Sequence, residues 1–468
     1  MKKLTGNLMI ELENQHTGET EMLSEANMVT NAVNDILGIN PMATMYKTAD
    51  EYDDTLIWNN DLLPICPNMI GGILLFSSSI TETADNLYLP SSNLPVAYAS
   101  NDVNATSNTR RGSMNLTESM KLTNGYKFVW EFTPSQGNGT IAAVGLTSKQ
   151  GGANAYGSEA AVDGTLLQTK RASLDYDDGF INDLFRCISV DFENSKLYSL
   201  SYASSTVTIK RYRIPIFDIG LNERLNDSTL TLEDTTVLQC STFKFYGSYT
   251  PYGIFCDGGD GYWYGFSNQA NSSGSAAMLW IKIKKSDYSF TEGSWTLSNA
   301  KLMAVGSFKE GSSYPEGERN AVVRNGYLYV PAYDKTGIYK IKLSNSTDVT
   351  LIPFGFTSAF KCIGENGSTE CCLSILNDII LGYDFEIDIS DNVIATFAGI
   401  RCGNVATPFF QYKEFVFAWG GSHLNQYRYT WILTPYLATI SNLSQAVVKN
   451  ADKTMKITYT LTEQETAE

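Results

Sequence analysis

Histidine, the commonest general base, occurs only at His16 and His423. A Ser-His-Asp triad would have to use one of them. His16 falls in a polar turn, and His423 lies in Gly420-Gly421-Ser422-His423-Leu424, a loop between two strand-like runs. No Gly-x-Ser-x-Gly elbow opens a helix. Paired carboxylates could serve a glycosidase, but no pair among the 50 acidic residues is singled out by spacing. The repeated Ser-x-Asp-x-Gly-x-x-Trp boxes expected of a sialidase-type propeller are missing too. The expectation is a protein that is not an enzyme.

Metal chemistry has one candidate. Asp175-Tyr176-Asp177-Asp178-Gly179 alternates carboxylates before a glycine, so Asp175, Asp177 and Asp178 could offer oxygens to a structural Ca2+. An EF-hand would place Glu at position 186, where this chain has Arg186, and a solvated acidic turn is the competing reading. No other cofactor is expected. Cys256-Asp257-Gly258-Gly259-Asp260-Gly261 is glycine-rich, but no helix follows to complete a phosphate cradle. The eight cysteines are dispersed, without a CxxC pair or a zinc-spaced Cys/His set. They read as buried thiols of a chain folded in a reducing cytosol.

What remains is aromatic. Trp263, Tyr262 and Tyr327, with His423, are the candidate ligand-binding residues, since such side chains stack on sugars and pack on proteins. The competing reading makes them core residues between sheets.

These residues belong to a recurring phrase. Asn194-Ser195-Lys196-Leu197-Tyr198 returns as Asp260-Gly261-Tyr262-Trp263-Tyr264 and as Asn325-Gly326-Tyr327-Leu328-Tyr329. Asn377-Asp378-Ile379-Ile380-Leu381 and Lys413-Glu414-Phe415-Val416-Phe417 are looser copies. Each is a tight polar turn opening into an aromatic and aliphatic strand. A second strand follows each copy, such as Met278-Leu279-Trp280-Ile281-Lys282-Ile283-Lys284, and several alternate apolar with charged residues. Repeated antiparallel units of this kind predict a mainly β chain with a β-propeller-like domain over 165–435, of about five or six irregular blades. A β-sandwich that reuses one turn is the alternative. The turns are unevenly spaced, so the loops between copies must differ in length.

Both chain ends offer a polar hairpin with an amphipathic strand, and a hairpin alone is marginal in water. They are expected to share one small terminal β-domain, 1–41 with 436–468, carrying a helix over about 25–38. Between them, 42–164 reads as a Ser/Asn-rich connecting region with a β-hairpin over 125–146. The net charge of −16 repels phosphate backbones, which argues against nucleic acid as a partner. No apolar run follows Met1-Lys2-Lys3, so no signal peptide is expected, and no membrane insertion.

A resemblance covers both ends and residues 70–152. Leu4-Thr5-Gly6-Asn7, Ala26-Asn27-Met28-Val29-Thr30-Asn31-Ala32, Gly71-Gly72-Ile73-Leu74-Leu75-Phe76 and Arg111-Gly112-Ser113-Met114-Asn115-Leu116-Thr117-Glu118-Ser119 carry part of it. So do Tyr126 through Ile141, Leu146-Thr147-Ser148, Gly151-Gly152, Ala438-Thr439-Ile440-Ser441-Asn442-Leu443 and Thr454 through Glu463. These stretches resemble structural proteins of bacteriophages and prophages of Gram-positive hosts, of tail-fibre-like or receptor-binding-like type. The resemblance implies a virion protein assembled in the host cytoplasm. Its terminal domain would attach to other virion proteins, and its propeller loops would bind a host-surface glycan or protein. Homo-oligomerisation is expected of such a protein. A capsid-decorating or head-fibre protein and a glycan-degrading depolymerase are the alternatives.

Overall fold

The computed structural model describes residues 3–37, 64–87, 93–154, 166–173, 187–213, 220–221, 231–246, 252–306, 320–358, 373–376, 378–395, 407–412, 415–422, 427–433 and 436–464. The chain opens with β1 (Lys3–Asn14), β2 (Thr20–Val29), α1 (Asn31–Leu37) and the helical turn α2 (Ile65–Asn68). Then come β3 (Gly72–Phe76), β4 (Pro95–Ala99), β5 (Ser113–Met114), β6 (Met120–Leu122), β7 (Gly125–Phe132), β8 (Gly139–Thr147) and α3 (Lys149–Asn154). A lone strand, β9 (Leu166–Ser173), precedes β10 (Cys187–Asp191), β11 (Lys196–Ala203), β12 (Thr206–Arg213) and β13 (Thr231–Gln239). Next are β14 (Ile254–Asp257), β15 (Tyr262–Asn268), β16 (Ser275–Lys284) and β17 (Phe290–Ser298). They are followed by β18 (Val322–Arg324), β19 (Tyr327–Pro331), β20 (Gly337–Lys342) and β21 (Val349–Pro353). The series continues with β22 (Ser374–Leu376), β23 (Ile379–Leu381), β24 (Phe385–Ile387), β25 (Val393–Ala395), β26 (Thr407–Tyr412), β27 (Phe415–Ser422) and β28 (Tyr427–Leu433). The chain closes on β29 (Thr439–Lys449) and β30 (Lys453–Gln464). Among the described residues no helix is long and apolar enough to cross a membrane.

The ends of the chain meet in one ten-stranded sheet, ordered β4-β3-β8-β29-β2-β1-β30-β7-β5, with β6 also on β7. Period-2 patterning drives it: Met455, Ile457, Tyr459 and Leu461 of β30 are buried while the residues between them are only partly covered. The two edges approach each other. Tyr98 N donates to Arg110 O (3.0 Å), and Gly112 N donates to Tyr98 O (2.9 Å), so the sheet is nearly a closed barrel. Leu8, Ile10, Trp130, Phe128 and Ile457 fill its core.

Three expectations are corrected here. Within the expected connector, 42–164, β3 to β8 are members of this same sheet. β7 and β8 do not form a hairpin, since β7 pairs with β30 and β8 with β29 and β3. Pairing that buries each strand's apolar face in the barrel core separates strands that sequence proximity would pair. The helix is shorter than its apolar spacing predicts. Ala26, Met28 and Val29 lie in β2, whose residues Thr20 to Asn27 pair with β1 while Met28 and Val29 pair with β29. Long-range pairing outweighs local helical spacing there, and α1 starts only after Thr30, whose hydroxyl donates to the Leu437 and Ala438 carbonyls.

One buried charge braces this barrel. Lys449, 1% exposed, donates through Nζ to Thr133 O (2.9 Å), Asn138 Oδ1 (2.8 Å), Pro134 O and Asn450 O. Burial pushes its ammonium down to about 8. The unfolded lysine titrates near 10.4, so between these values the unfolded chain holds more protons and stability rises with pH. We expect the stability difference between wild type and Lys449→Met to shift in favour of wild type by up to about 3 kcal/mol from pH 8 to pH 10.5. Urea denaturation of both proteins across that range checks it, and a flat difference would contradict the assignment.

The repeat region forms five four-stranded antiparallel sheets: β10-β11-β12-β13, β14-β15-β16-β17, β18-β19-β20-β21, β22-β23-β24-β25 and β26-β27-β28-β9. Successive sheets pack face to face, as blades 1 and 2 do through Leu200, Ile209, Phe243, Trp263 and Ile281. Blades 2 and 3 join through Phe266, Met278, Leu328 and Ile341, and blades 3 and 4 through Tyr329, Ile338, Ile380 and Phe385. First strands of neighbouring blades lie side by side. This is a β-propeller-like arrangement, with five blades among the described residues. β9, which precedes the first blade in sequence, supplies the outer strand of the last, Leu166 opposite Leu433 and Ser173 opposite Tyr427.

The recurring phrase is the first turn of each blade. Asn325 and Gly326 have φ of 51° and 78°, and Gly261 has φ of 86°, the left-handed values that tight hairpins demand. The strand after the turn is buried on both faces in β15 and β19, where all residues after Tyr262 and Tyr327 are buried.

Candidate functional site

The propeller has two unequal faces. Within each antiparallel blade, the turn after the first strand and the turn after the third lie on one face. The chain also enters β9 and leaves β28 there, since Leu166 and Leu433 are paired. The barrel sits on this side. Leu221, from the connection between β12 and β13, is buried in the barrel core, and its carbonyl accepts from Cys66 N (3.0 Å) while its N–H donates to Glu463. On the opposite face the blades are joined by 174–186, 240–253, 299–321, 354–373 and 396–406, the long and unequal connections. Where described, 299–321 is fastened to the blades beside it and to itself: Asn268 Nδ2 donates to Met303 O (2.9 Å), Tyr333 N to Lys301 O (2.8 Å), and Gly306 N to Asn320 Oδ1 (2.7 Å). Tyr333 is exposed on this face.

A cleft of ≈ 1060 Å³ opens on the barrel-side face between blades 1 and 2. The turn after β10, the turn after β14 and the turn after β16 form its rim. Tyr198 and Tyr262 are half-buried in its walls, and Trp263 lies beneath them. The Trp263 and Tyr198 rings are 5.2 Å apart, Tyr288 stacks on Trp263 at 6.0 Å, and Trp263 Nε1 donates to Ser189 Oγ (3.0 Å). Tyr288 holds φ of 58°, a costly backbone for an aromatic residue.

The rim charges are largely engaged. Asp191 accepts from Asn194 N (3.0 Å) and Asn194 Nδ2 (2.8 Å), and Asp257 pairs with Lys285 at 2.6 Å. Asp260 accepts from Tyr262 N (3.2 Å) and from the Tyr264 hydroxyl (2.7 Å). Burial first, and then this contact with Asp260, pushes the Tyr264 phenol up. Lys284 pairs with Asp287 at 3.1 Å. Glu193 is exposed and has no partner among the described residues.

The structure thus brings Tyr262 and Trp263 into one cleft but keeps Tyr327 apart, on blade 3. Trp263 is fully buried and supports the cleft from below, leaving no ring face for stacking. Lysines cover the two tyrosines in the same way: Lys282 Nζ lies 3.9 Å from the Tyr262 ring centroid, and Lys340 Nζ 4.3 Å from that of Tyr327. His423 lies outside the described residues, as do Asp175, Asp177 and Asp178. Sequence reasoning missed Tyr198 and Glu193; their place in the first copy of the phrase was the available signal. Cys66 and Cys256 are buried free thiols and Cys240 is half-buried.

No family model matches the chain, and no curated protein does. Among solved structures it is similar to a protein from Lactobacillus plantarum, with 12% identity over 57% of this chain and 86% of that one and a TM-score of 0.24. So slight a likeness carries no argument about function.

Proposed function

We propose that this is a phage virion protein of tail-fibre or receptor-binding type. It attaches to other virion proteins through the barrel and binds a host-surface glycan or protein through the propeller, without catalysis. One observation carries the reading. The stretches that resemble virion proteins, at the two chain ends and over 70–152, lie, where described, in the barrel and the short helices beside it. The propeller is inserted into that body, and the strand ends that its long connections join lie on the face away from it. Long connections on a rigid scaffold are where recognition residues concentrate. Paired ends on one side and long connections on the other suit a particle component that must reach a host.

The test uses the full chain. The hydrogen bond from Gly306 N to Asn320 Oδ1 brings the ends of 307–319 together, so that connection can be exchanged for a short glycine-serine linker without reshaping the blades. The exchanged protein is expected to lose at least about tenfold in host-cell binding, about 1.4 kcal/mol, while still entering particles. Unchanged cell binding after exchange of each long connection in turn would sink the reading. Shortening of host polysaccharide by the purified protein would replace it with a depolymerase.

A further inference from the structure

We propose that Asn138 is a self-modification site: its side-chain amide is lost to attack by the backbone nitrogen of Gly139, and the aspartate that results supplies the carboxylate that buried Lys449 lacks. This does not rest on the host-attachment reading, because it concerns the barrel alone.

The unbalanced charge comes first. Lys449 is 1% exposed, and its Nζ donates to the carbonyl oxygens of Thr133, Pro134 and Asn450 and to Asn138 Oδ1 at 2.8 Å. All four acceptors are neutral, and among the described residues no carboxylate pairs with this lysine. A buried ammonium is held best by an opposite charge in contact with it. Burial alone pushes Lys449 down to about 8, as it does for a cation without such a partner. A carboxylate at residue 138 would offer a charged oxygen where the amide oxygen now stands.

The next residue supplies the nucleophile. Gly139 has no side chain to shield its nitrogen, and its φ of 151° is a backbone that other residues rarely adopt. A Cβ placed there would meet nothing within 4 Å, so the surroundings are open. The Gly139 nitrogen adds to Asn138 Cγ and gives its proton to solvent. The Cγ–Nδ2 bond breaks, ammonia leaves, and a succinimide ring closes. Water then opens the ring at Cγ, which gives aspartate, or at the Asn138 backbone carbonyl, which gives isoaspartate. Lys449 Nζ already sits on Oδ1, where negative charge develops during the attack, and stabilises it. Asn138 is exposed, so water reaches the ring. The leaving Nδ2 rests on Pro134 O at 3.0 Å. Asn124-Gly125 and Asn325-Gly326 share the dipeptide but not the cation. Asn124 Nδ2 donates to Glu463 O (2.7 Å), and among the described residues neither side-chain oxygen accepts from an ammonium.

Peptide mapping by mass spectrometry, on full-length protein aged at neutral pH in isotope-labelled water, tests this. Asn138 is expected to take up labelled oxygen at least about tenfold faster than Asn124 or Asn325, about 1.4 kcal/mol in barrier height. Lys449→Met should slow Asn138 by about tenfold and leave the other two unchanged. Unfolding of that variant cannot imitate this result, because it would free all three dipeptides and speed them together. Asn138→Asp makes the product directly. By urea denaturation at neutral pH it should lower the unfolding equilibrium constant about fivefold, about 1 kcal/mol. That gain should vanish when Lys449→Met is added. Three results would overturn the proposal: conversion of Asn138 no faster than that of the other two, a rate that survives Lys449→Met in folded protein, or an Asn138→Asp protein no more stable than wild type.

Discussion

Replacing Arg324 with methionine is expected to destabilise the propeller by about 3–5 kcal/mol, the cost of removing one partner from a buried ionic cluster. The Arg324 side chain is 3% exposed and stands between blades 3 and 4. Its Nη1 donates to the carbonyls of Asp378 (2.7 Å) and Ile387 (3.0 Å), and its Nη2 donates to Asp391 Oδ1 (2.7 Å) and to the Tyr329 hydroxyl (3.1 Å). The guanidinium also lies 4.8 Å from the Tyr329 ring centroid. Tyr329 in turn donates to Asp391 (3.0 Å), and Lys340 pairs with the other oxygen of the same carboxylate. One side chain thus ties the end of β18 to two turns of the next blade. Methionine would fill part of the volume but take the guanidinium's donors from two carbonyls and from Asp391 Oδ1, which would keep only the Tyr329 hydroxyl. Lysine would rescue only part of the loss, because a single ammonium cannot reproduce the guanidinium fork. Guanidinium-chloride unfolding of the three proteins measures this. A loss below about 1 kcal/mol for methionine would mean the cluster roughly balances its own desolvation.

The same cluster sets an acid dependence. Burial works to raise the Asp391 carboxyl, but the bonds from Lys340 and Tyr329 and the nearby Arg324 charge outweigh it and hold the group below the ordinary carboxylate range. A lowered folded value stabilises the protein above the unfolded aspartate value of about 3.9 and is lost as pH falls through the folded one. The stability gap between wild type and Asp391→Asn should therefore be full at neutral pH and narrow below about pH 4.

Trp263→Ala should cost a similar amount, about 3–5 kcal/mol, as expected when a buried aromatic ring is deleted. Trp263 has 0% exposure and sits in the seam between blades 1 and 2 with Leu200, Val207, Phe243 and Ile283. Its removal takes away the ring that Tyr198 and Tyr288 pack on. Phenylalanine should lose about 1 kcal/mol, chiefly the indole bond to Ser189, because it keeps most of the packing. Thermal unfolding and amide exchange in β10 and β15 separate these cases. Full stability in Trp263→Ala would show that the two blades are not held together at this seam.

Trp263 also illustrates how far the residues alone could be read. An aromatic strand opened by Asp260-Gly261 marks a turn and a strand locally, because positive φ and side-chain alternation act over a few residues. The repeated turns, the blade-like units and the alternation of Met455 to Leu461 were legible for that reason. Whether Trp263 faces a ligand or a neighbouring sheet depends on what packs against it, and that residue, Ser189, is far away in the chain. The same limit hid three other features. Met28 and Val29 have helical spacing but pair with Ile440 and Thr439. Leu166 to Ser173 completes a blade whose other strands come at the end of the repeat region. Arg324 looks like any residue before an Asn-Gly turn until Asp391 is brought beside it. Local conformational preference is written in neighbouring residues, so the sequence by itself determined the turns, the strands and the β class. Register, the place of β9 in the last blade and the pairing of buried charges are settled by contacts between distant segments, and only the tertiary structure decided them.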